Sequence, residues 1–277
     1  MNILQAIILG IVQGITEFLP VSSSAHLVLL PYFLGWKIPQ VESFTFDVLV
    51  HWGTLLAVLV YFWKDIIRIL LEMIAGILQG KPFGEAQSRL GWFLLLASIP
   101  AGVAGLLLKK LVETAFGSPT ITGIFLMVTA VLLLAGEFIG RRTRTQSDMD
   151  WKDALWIGGF QMLAIFPGIS RSGATITGGA VRNFERAEAA RFSFLLSIPI
   201  MVAAGLLQLR DFMNYPALAV MDAMPAVITG TVVAAVVGYF SIRWLLGFLK
   251  DHSFVWFSGY CFFVGALTLF FTFYINR

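Results

Sequence analysis

Six stretches of this chain, at about 45 to 63, 91 to 108, 119 to 139, 189 to 209, 225 to 247 and 254 to 275, stay apolar for the ~20 residues that a helix needs to cross a ~30 Å hydrocarbon core. Inside lipid every backbone N–H and C=O must be satisfied by the chain itself, which leaves helices or closed barrels. The alternating ten-residue segments of a barrel do not occur, so an all-α polytopic membrane protein is expected. Charge agrees: 13% of the residues are Asp, Glu, Lys or Arg, where a soluble domain carries about 25%.

All 277 residues read as one membrane domain. The single cysteine, Cys261, can form no internal disulfide, and its aromatic surroundings read as packing. The net charge of +3 comes from basic residues scattered at span ends rather than gathered into a stripe with aromatics, so no nucleic acid partner is expected. Met1 to Gly10 lacks a basic n-region and a small-residue cleavage site, which predicts a retained N-terminus.

Lysine and arginine set the orientation. If the first span runs outside to inside, the inner side collects thirteen of them: Lys64, Arg68, Lys81, Arg89, Arg141, Arg142, Arg144, Lys152, Arg182, Arg186, Arg191, Arg243 and Lys250. The outer side keeps Lys37, Lys109, Lys110, Arg210 and Arg277, a bias that places both termini outside. The amphipathic segment Ile66 to Leu78, with Arg68 and Glu72, is expected at the interface.

Two polar runs lie outside the spans. The first reads Gln13-Gly-Ile-Thr-Glu17-Phe-Leu-Pro20-Val-Ser22-Ser23-Ser24-Ala-His26, the second Pro167-Gly-Ile-Ser170-Arg171-Ser172-Gly-Ala-Thr175. Each sits between apolar pieces too short to cross alone, residues 3 to 19 and 25 to 35, then 154 to 166 and 173 to 181, and each is broken by proline. Two re-entrant helix-loop-helix units follow, one entering from each side, since irregular backbone survives at that depth only where protein or a wet cavity satisfies it. A glutamine upstream of Pro-x-x-Ser recurs in both, and each unit precedes three spans. An inverted-topology repeat of residues 1–140 and 150–277, with a site where the halves meet, is expected.

On a helix Gln13 and Glu17 share one face, so a carboxylate and an amide can address one object, a hard cation or a proton on a nucleophile. Ser22, Ser23 and Ser24 follow the break, where hydroxyls and amides can converge on an anion or simply cap a helix. His26, one turn beyond Ser23, puts an imidazole within expected reach of that hydroxyl. In the second run Arg171 offers a fork of donors suited to phosphate, flanked by Ser170, Ser172 and Thr175; its competing role is an ion pair with Glu17 or Asp47. Asp47 and His51, four apart on the first span, read equally as support for His26 or Glu17 and as a simple hydrogen-bonded pair. Together the runs make a phosphoryl-transfer or phosphate-hydrolysis site.

Gln-Gly-x-Thr-Glu-Phe-Leu-Pro-Val-Ser-Ser-x-x-His with Pro-Gly-x-Ser-Arg-Ser-Gly-Ala-Thr resembles the undecaprenyl-diphosphate phosphatase, or bacitracin-resistance, family over essentially the full length. The resemblance implies a multi-pass bacterial inner-membrane enzyme that removes the terminal phosphate of a C55 prenyl diphosphate and recycles the carrier lipid for wall synthesis, its site open to the periplasmic face. It implies Ser23 as nucleophile, His26 and Glu17 as proton handlers or metal partners, and Arg171 as phosphate clamp. Gln13, Ser22, Ser24, Ser170, Ser172 and Thr175 would contact substrate. It also implies a divalent cation, Mg or Ca, held at Glu17. Gln13 stands where the family's motif allows Glu or Gln, which leaves one charged ligand in this loop. Expected partners are the prenyl diphosphate and bilayer lipid, with a homodimer left open.

A prenyl-phosphate flippase or other transporter would use the same midplane anion site, but carriage needs no nucleophile. An intramembrane serine protease would use Ser and His but has no need of Arg171 beside three hydroxyls. The other membrane lipid phosphatase superfamily is set aside because no histidine follows Ser170-Arg171 in its motif spacing.

Overall fold

A computed structural model describes residues 1–116, 118–212 and 217–275. Its helices are α1 (Ile3–Thr16), α2 (Ser23–Phe33), α3 (Gln40–Tyr61), α4 (Trp63–Leu78), α5 (Ala86–Leu107), α6 (Lys109–Phe116), α7 (Pro119–Ile139), α8 (Trp151–Leu163), α9 (Arg171–Val181), α10 (Arg186–Phe212), α11 (Ala217–Asp251) and α12 (Val255–Phe270). Among the described residues there is no β-strand, only an isolated bridge between Arg144 and Phe184. Among the described residues six helical stretches are long and apolar enough to span: Gln40–Tyr61, Ala86–Leu107, Pro119–Ile139, Arg186–Gln208, Met221–Asp251 and Val255–Tyr274. These are the six expected, lengthened where polar first turns such as that of α3, Gln40 to Ser43, continue the helix past the apolar core. Arg277 lies outside the described residues, and only the backbone of Lys109 and Arg210 is described.

The breaks in the two short pairs follow from proline. A proline ring collides with the carbonyl four residues earlier. α1 ends at Thr16, four before Pro20, and α8 ends at Leu163, four before Pro167. The next helix restarts at a serine cap: Ser22 Oγ accepts from the Ala25 N–H at 3.4 Å and Ser170 Oγ from the Gly173 N–H at 3.0 Å. The restart therefore falls at the hydroxyls themselves, two residues earlier than the expected 25 and 173.

Each pair is a hairpin. Asp153 in the first turn of α8 accepts from Arg182 Nε, just past α9, at 2.6 Å, so the two open ends lie together. The Met1 ammonium pairs with Glu42 in the first turn of α3, which brings the start of α1 beside the chain leaving α2. The hairpins open at opposite ends of the bundle, because the other end of α3 and α4 meets the start of α10 through Asp65 and Arg191 Nη2, 2.5 Å apart.

Lipid tails are as apolar as leucine, so helix association here relies on close packing and internal polar contacts rather than on burial from water. Small residues permit it. Gly14 on α1 lies against Ala234 and Gly238 of α11, where a Cβ would meet the Ala234 carbonyl at 2.8 Å. Gly158 on α8 does the same against α5, a Cβ meeting the Ala97 carbonyl at 2.5 Å. Phe18, Phe62, Phe184, Phe192, Phe194 and Phe254 fill the interior, while Leu70, Leu71, Val131, Phe138, Phe240 and Phe263 face outward.

Candidate active site

Two helix N-termini meet in the interior. Ser23 is the first residue of α2 and Arg171 the first of α9, and each helix is eleven residues long, so two sets of free N–H groups and two positive dipole ends converge. Ser172 Oγ donates to the Leu19 carbonyl at 3.0 Å and fastens the second loop onto the first.

Glu17 lies between them, 7% exposed. Ser23 Oγ donates to its Oε2 at 2.6 Å, Arg171 Nη2 to its Oε1 at 2.8 Å, and Gln13 Nε2 to Oε2 at 3.0 Å. The opposite oxygen of the Gln13 amide, Oε1, is buried with no partner. Ser23 and Arg171, 148 positions apart in the sequence, thus engage the two oxygens of one carboxylate.

The second loop is held by groups on neighbouring spans. Gly168, at φ 100, passes so near α7 that a Cβ would meet the Thr122 carbonyl at 2.5 Å, which requires glycine on both counts. Thr129 Oγ1 of α7 donates to the Gly168 carbonyl and accepts from the Ser170 N–H, each at 3.0 Å. Ser170 and Ser172 hydroxyls lie 3.1 Å apart. Thr175 is one turn further in, 2.6 Å from Ser193 Oγ of α10 and bonded back to the Arg171 carbonyl. It stabilises the turn that carries Arg171 and is not among the residues lining the cavity below.

His26 departs from expectation. Its Nδ1 bonds the Ser22 carbonyl at 2.7 Å and its Nε2 the Tyr260 hydroxyl of α12 at 2.7 Å, while Ser23 Oγ turns to Glu17. A spacing of three puts two residues on one side of a helix, but the Ser23 hydroxyl is given to Glu17 and both nitrogens of the His26 ring are taken by other partners. The histidine that faces the carboxylate is His51: its Nε2 lies 3.8 Å from Glu17 Oε2, and its Nδ1 donates to the Asp47 carbonyl at 2.6 Å with Asp47 Oδ1 at 3.7 Å. His51 is thus bonded to the Asp47 main-chain carbonyl rather than to its carboxylate, and its other ring nitrogen faces Glu17.

Glu17, Ser22, Ser23, Ser24, Ser170 and Arg171 all line a cavity of 870 Å³. It runs between α3, α5 and α10 past Trp52, Gly102, Gly105 and Ala204 toward Leu106, Val112 and Gln208. The polar groups gather at one end of it, and mostly apolar residues line the rest, its throat.

A model of the bacitracin resistance protein BacA family matches residues 6–267. The chain belongs to the BacA family. A protein named undecaprenyl-diphosphatase from Moorella thermoacetica is 43% identical over 96% of this chain and 97% of its own. Proteins of the same name from Chloroherpeton thalassium and Methanosphaera stadtmanae are 44% and 42% identical, over 97% of this chain and 96% and 98% of theirs.

Within this BacA-family chain the sequence reading missed Thr129, Ser193, Tyr260 and Trp52. A lone hydroxyl on an apolar span carries little signal, since Ser and Thr there usually bond the carbonyl one turn back, as Thr129 also does to Phe125 at 3.2 Å. Among the described residues no group of three or more His, Cys, Asp or Glu could hold a metal. What the site offers a hard cation is one carboxylate and the unpartnered Gln13 Oε1. That donor set fits an ion that keeps water and substrate oxygens as most of its ligands, as Mg²⁺ does, and does not fit a protein-made cage.

Proposed function

We propose that this protein is an undecaprenyl-diphosphatase that removes the terminal phosphate of the C55 prenyl diphosphate, with Ser23 as nucleophile. The carrying observation is that Ser23 and Arg171, each first in its helix, hold opposite oxygens of Glu17 at the polar end of an otherwise mostly apolar cavity. A phosphate can take the Arg171 fork and the Ser23 hydroxyl that Glu17 engages, with the neighbouring serine hydroxyls and the first-turn N–H groups of α2 and α9 close by.

Glu17 takes the proton from Ser23 Oγ along their 2.6 Å bond. The Ser23 oxygen bonds the terminal phosphorus, the bridging P–O bond breaks, and prenyl monophosphate leaves with the bridging oxygen. Arg171 neutralises charge on the equatorial oxygens, and with Glu17 protonated its guanidinium is released to them. Water then attacks the phosphoserine: the Ser23 O–P bond breaks, Glu17 returns its proton to the Ser23 oxygen, and inorganic phosphate leaves with the water's OH while the water's second proton passes to solvent. Glu17, through the oxygen that does not take the Ser23 proton, and Gln13 Oε1 would hold Mg²⁺ or Ca²⁺, which would supply further neutralisation of phosphate charge.

Opposed hairpins also support the inverted repeat of 1–140 and 150–277. α1 packs on α11 as α8 packs on α5, each the middle span of the opposite half, and each first helix is cut four residues before its proline. Both hairpins are re-entrant in this reading. The throat leads to the end that holds the starts of α1 and α3, which the lysine and arginine bias makes the periplasmic face of the bacterial inner membrane.

Phosphate release from a prenyl diphosphate in detergent tests the assignment. Arg171→Ala is expected to lower kcat/KM by about 10²–10³-fold and Ser23→Ala by about 10³-fold or more. Near wild-type rates in both would overturn it.

A further inference from the structure

His26 belongs to the motif that carries the family resemblance, yet its two ring nitrogens bond the Ser22 carbonyl and Tyr260 rather than Ser23 or Glu17. It is spent on Ser22. That residue has φ 70 and ψ 98, a backbone conformation that side chains other than glycine adopt rarely and keep only when neighbours hold it. Two donors of His26 converge on the Ser22 carbonyl, the backbone N–H at 3.4 Å and ring Nδ1 at 2.7 Å. A carbonyl can only accept, so Nδ1 carries the proton and, in the neutral ring, Nε2 is left as an acceptor. The Tyr260 hydroxyl, 2.7 Å away, donates to it, the two ring planes parallel to within 6°. α2 and α12 both pack against α7, so the tyrosine reaches the loop from a separately anchored span.

The sequence then explains what this bond controls. Ser23 follows Ser22 directly, and the direction in which the chain leaves the Ser22 turn decides where the Ser23 hydroxyl points. We infer that Tyr260 and His26 are a positioning pair: Tyr260 fixes the imidazole tautomer, His26 holds the Ser22 turn, and the turn aims Ser23 at Glu17. This rests on the phosphatase reading of the site, and it gives His26 a task that involves no contact with substrate.

Asparagine separates positioning from proton transfer, because its amide nitrogen sits near where Nδ1 does and donates without titrating. In the prenyl diphosphate assay Tyr260→Phe is expected to lower kcat by about tenfold with KM changed less than about twofold, as a displaced but present nucleophile would. His26→Ala should lose more, and His26→Asn should recover at least about ten times the His26→Ala rate. Tyr260→Phe added to His26→Asn should cost nothing further, since the amide needs no tautomer partner. His26→Asn as inactive as His26→Ala, or Tyr260→Phe at the wild-type rate, overturns the pair. If Tyr260→Phe does not fold, the His26→Asn comparison decides alone. A second reading needs no turnover: ¹⁵N shifts of histidine-labelled protein should show Nδ1–H at His26, shared between tautomers after Tyr260→Phe. A wild-type chain that releases no phosphate but shows this tautomer defeats the phosphatase assignment and leaves the pair standing. An Nε2–H ring defeats the pair whatever the activity.

Discussion

Asp153 joins three elements through one carboxylate. Its side chain is fully buried and accepts from Arg144 Nη2 and Arg182 Nε at 2.6 Å each, and from the Asp150 N–H at 3.0 Å. Burial alone would push this carboxyl up; the arginine donors and the backbone bond outweigh that and hold it below the usual carboxylate range. A carboxyl lowered by folding stabilises the folded state above its unfolded-state value and loses that contribution as pH falls through the lowered one. Acidification below about pH 4 should therefore lower the thermal midpoint of the wild-type chain. Asp153→Asn should remove on the order of 3 kcal/mol at neutral pH, by leaving two arginines unpaired, and should flatten this acid limb. Unfolding in detergent, followed by tryptophan fluorescence at several pH values, checks both; a variant that keeps the wild-type acid limb would contradict the assignment. At this scale the sequence was most legible where chemistry is rare in lipid. Glu17, Ser23 and Arg171 stand out because a membrane tolerates such groups only with partners, and they are found on one another. Tyr260 does not stand out, since an interfacial tyrosine is ordinary on a span. Its bond to His26 crosses 234 positions, a pairing that local spacing cannot express.

Helix breaks and close crossings decide how these residues meet. The sequence reading ran the first helix of each pair up to the proline, whereas the collision acts four residues earlier, at Thr16 and Leu163. That difference frees the three residues Glu17 to Leu19 from α1. Glu17 becomes its C-cap, still bonded back to Gln13 through its N–H at 2.9 Å, with its side chain turned toward the restart of the chain. The same element-scale logic makes the two adjacent glycines of α8 unequal. A methyl on Gly158 would meet the Ala97 carbonyl at 2.5 Å, whereas a methyl on Gly159 meets nothing within 4 Å. Gly158→Ala should cost about 1–3 kcal/mol, because backbone on α5 must give way. It should also lower turnover, as α8 carries the loop that ends in Arg171. Gly159→Ala should be neutral or stabilising by up to about 1 kcal/mol through helix propensity. Denaturation midpoints of the two variants side by side test the crossing. Equal effects would mean that α8 does not rest on α5 through Gly158.

For the whole molecule, the charge bias in the sequence and the ion pairs in the structure agree on which ends lie together. Glu137 at the end of α7 binds Arg142 and Arg186, and the Phe254 N–H that opens α12; Asp65 beyond α3 binds Arg191. All of these arginines fall in the group of thirteen that the charge bias of the sequence places on one side. What the sequence could not supply was the direction of the cavity, because that depends on the gaps left between α3, α5 and α10 rather than on any one of them. Its throat passes Val112 on α6, at the end opposite the arginine cluster. Cys261 makes this testable in an otherwise native chain. It is fully buried, with its thiol directed at the Pro20 carbonyl 3.6 Å away, so it should stay silent toward a polar reagent. A membrane-impermeant maleimide applied to intact cells should then label Val112→Cys, at the mouth, and leave Ser147→Cys, in the exposed turn between α7 and α8, unlabelled until the cells are lysed. Labelling of Ser147→Cys alone in intact cells would invert the molecule in the membrane and open the site to the cytoplasm instead. Because the cavity is continuous from Val112 to Ser23, the same result would also reverse the face from which the lipid diphosphate reaches the nucleophile.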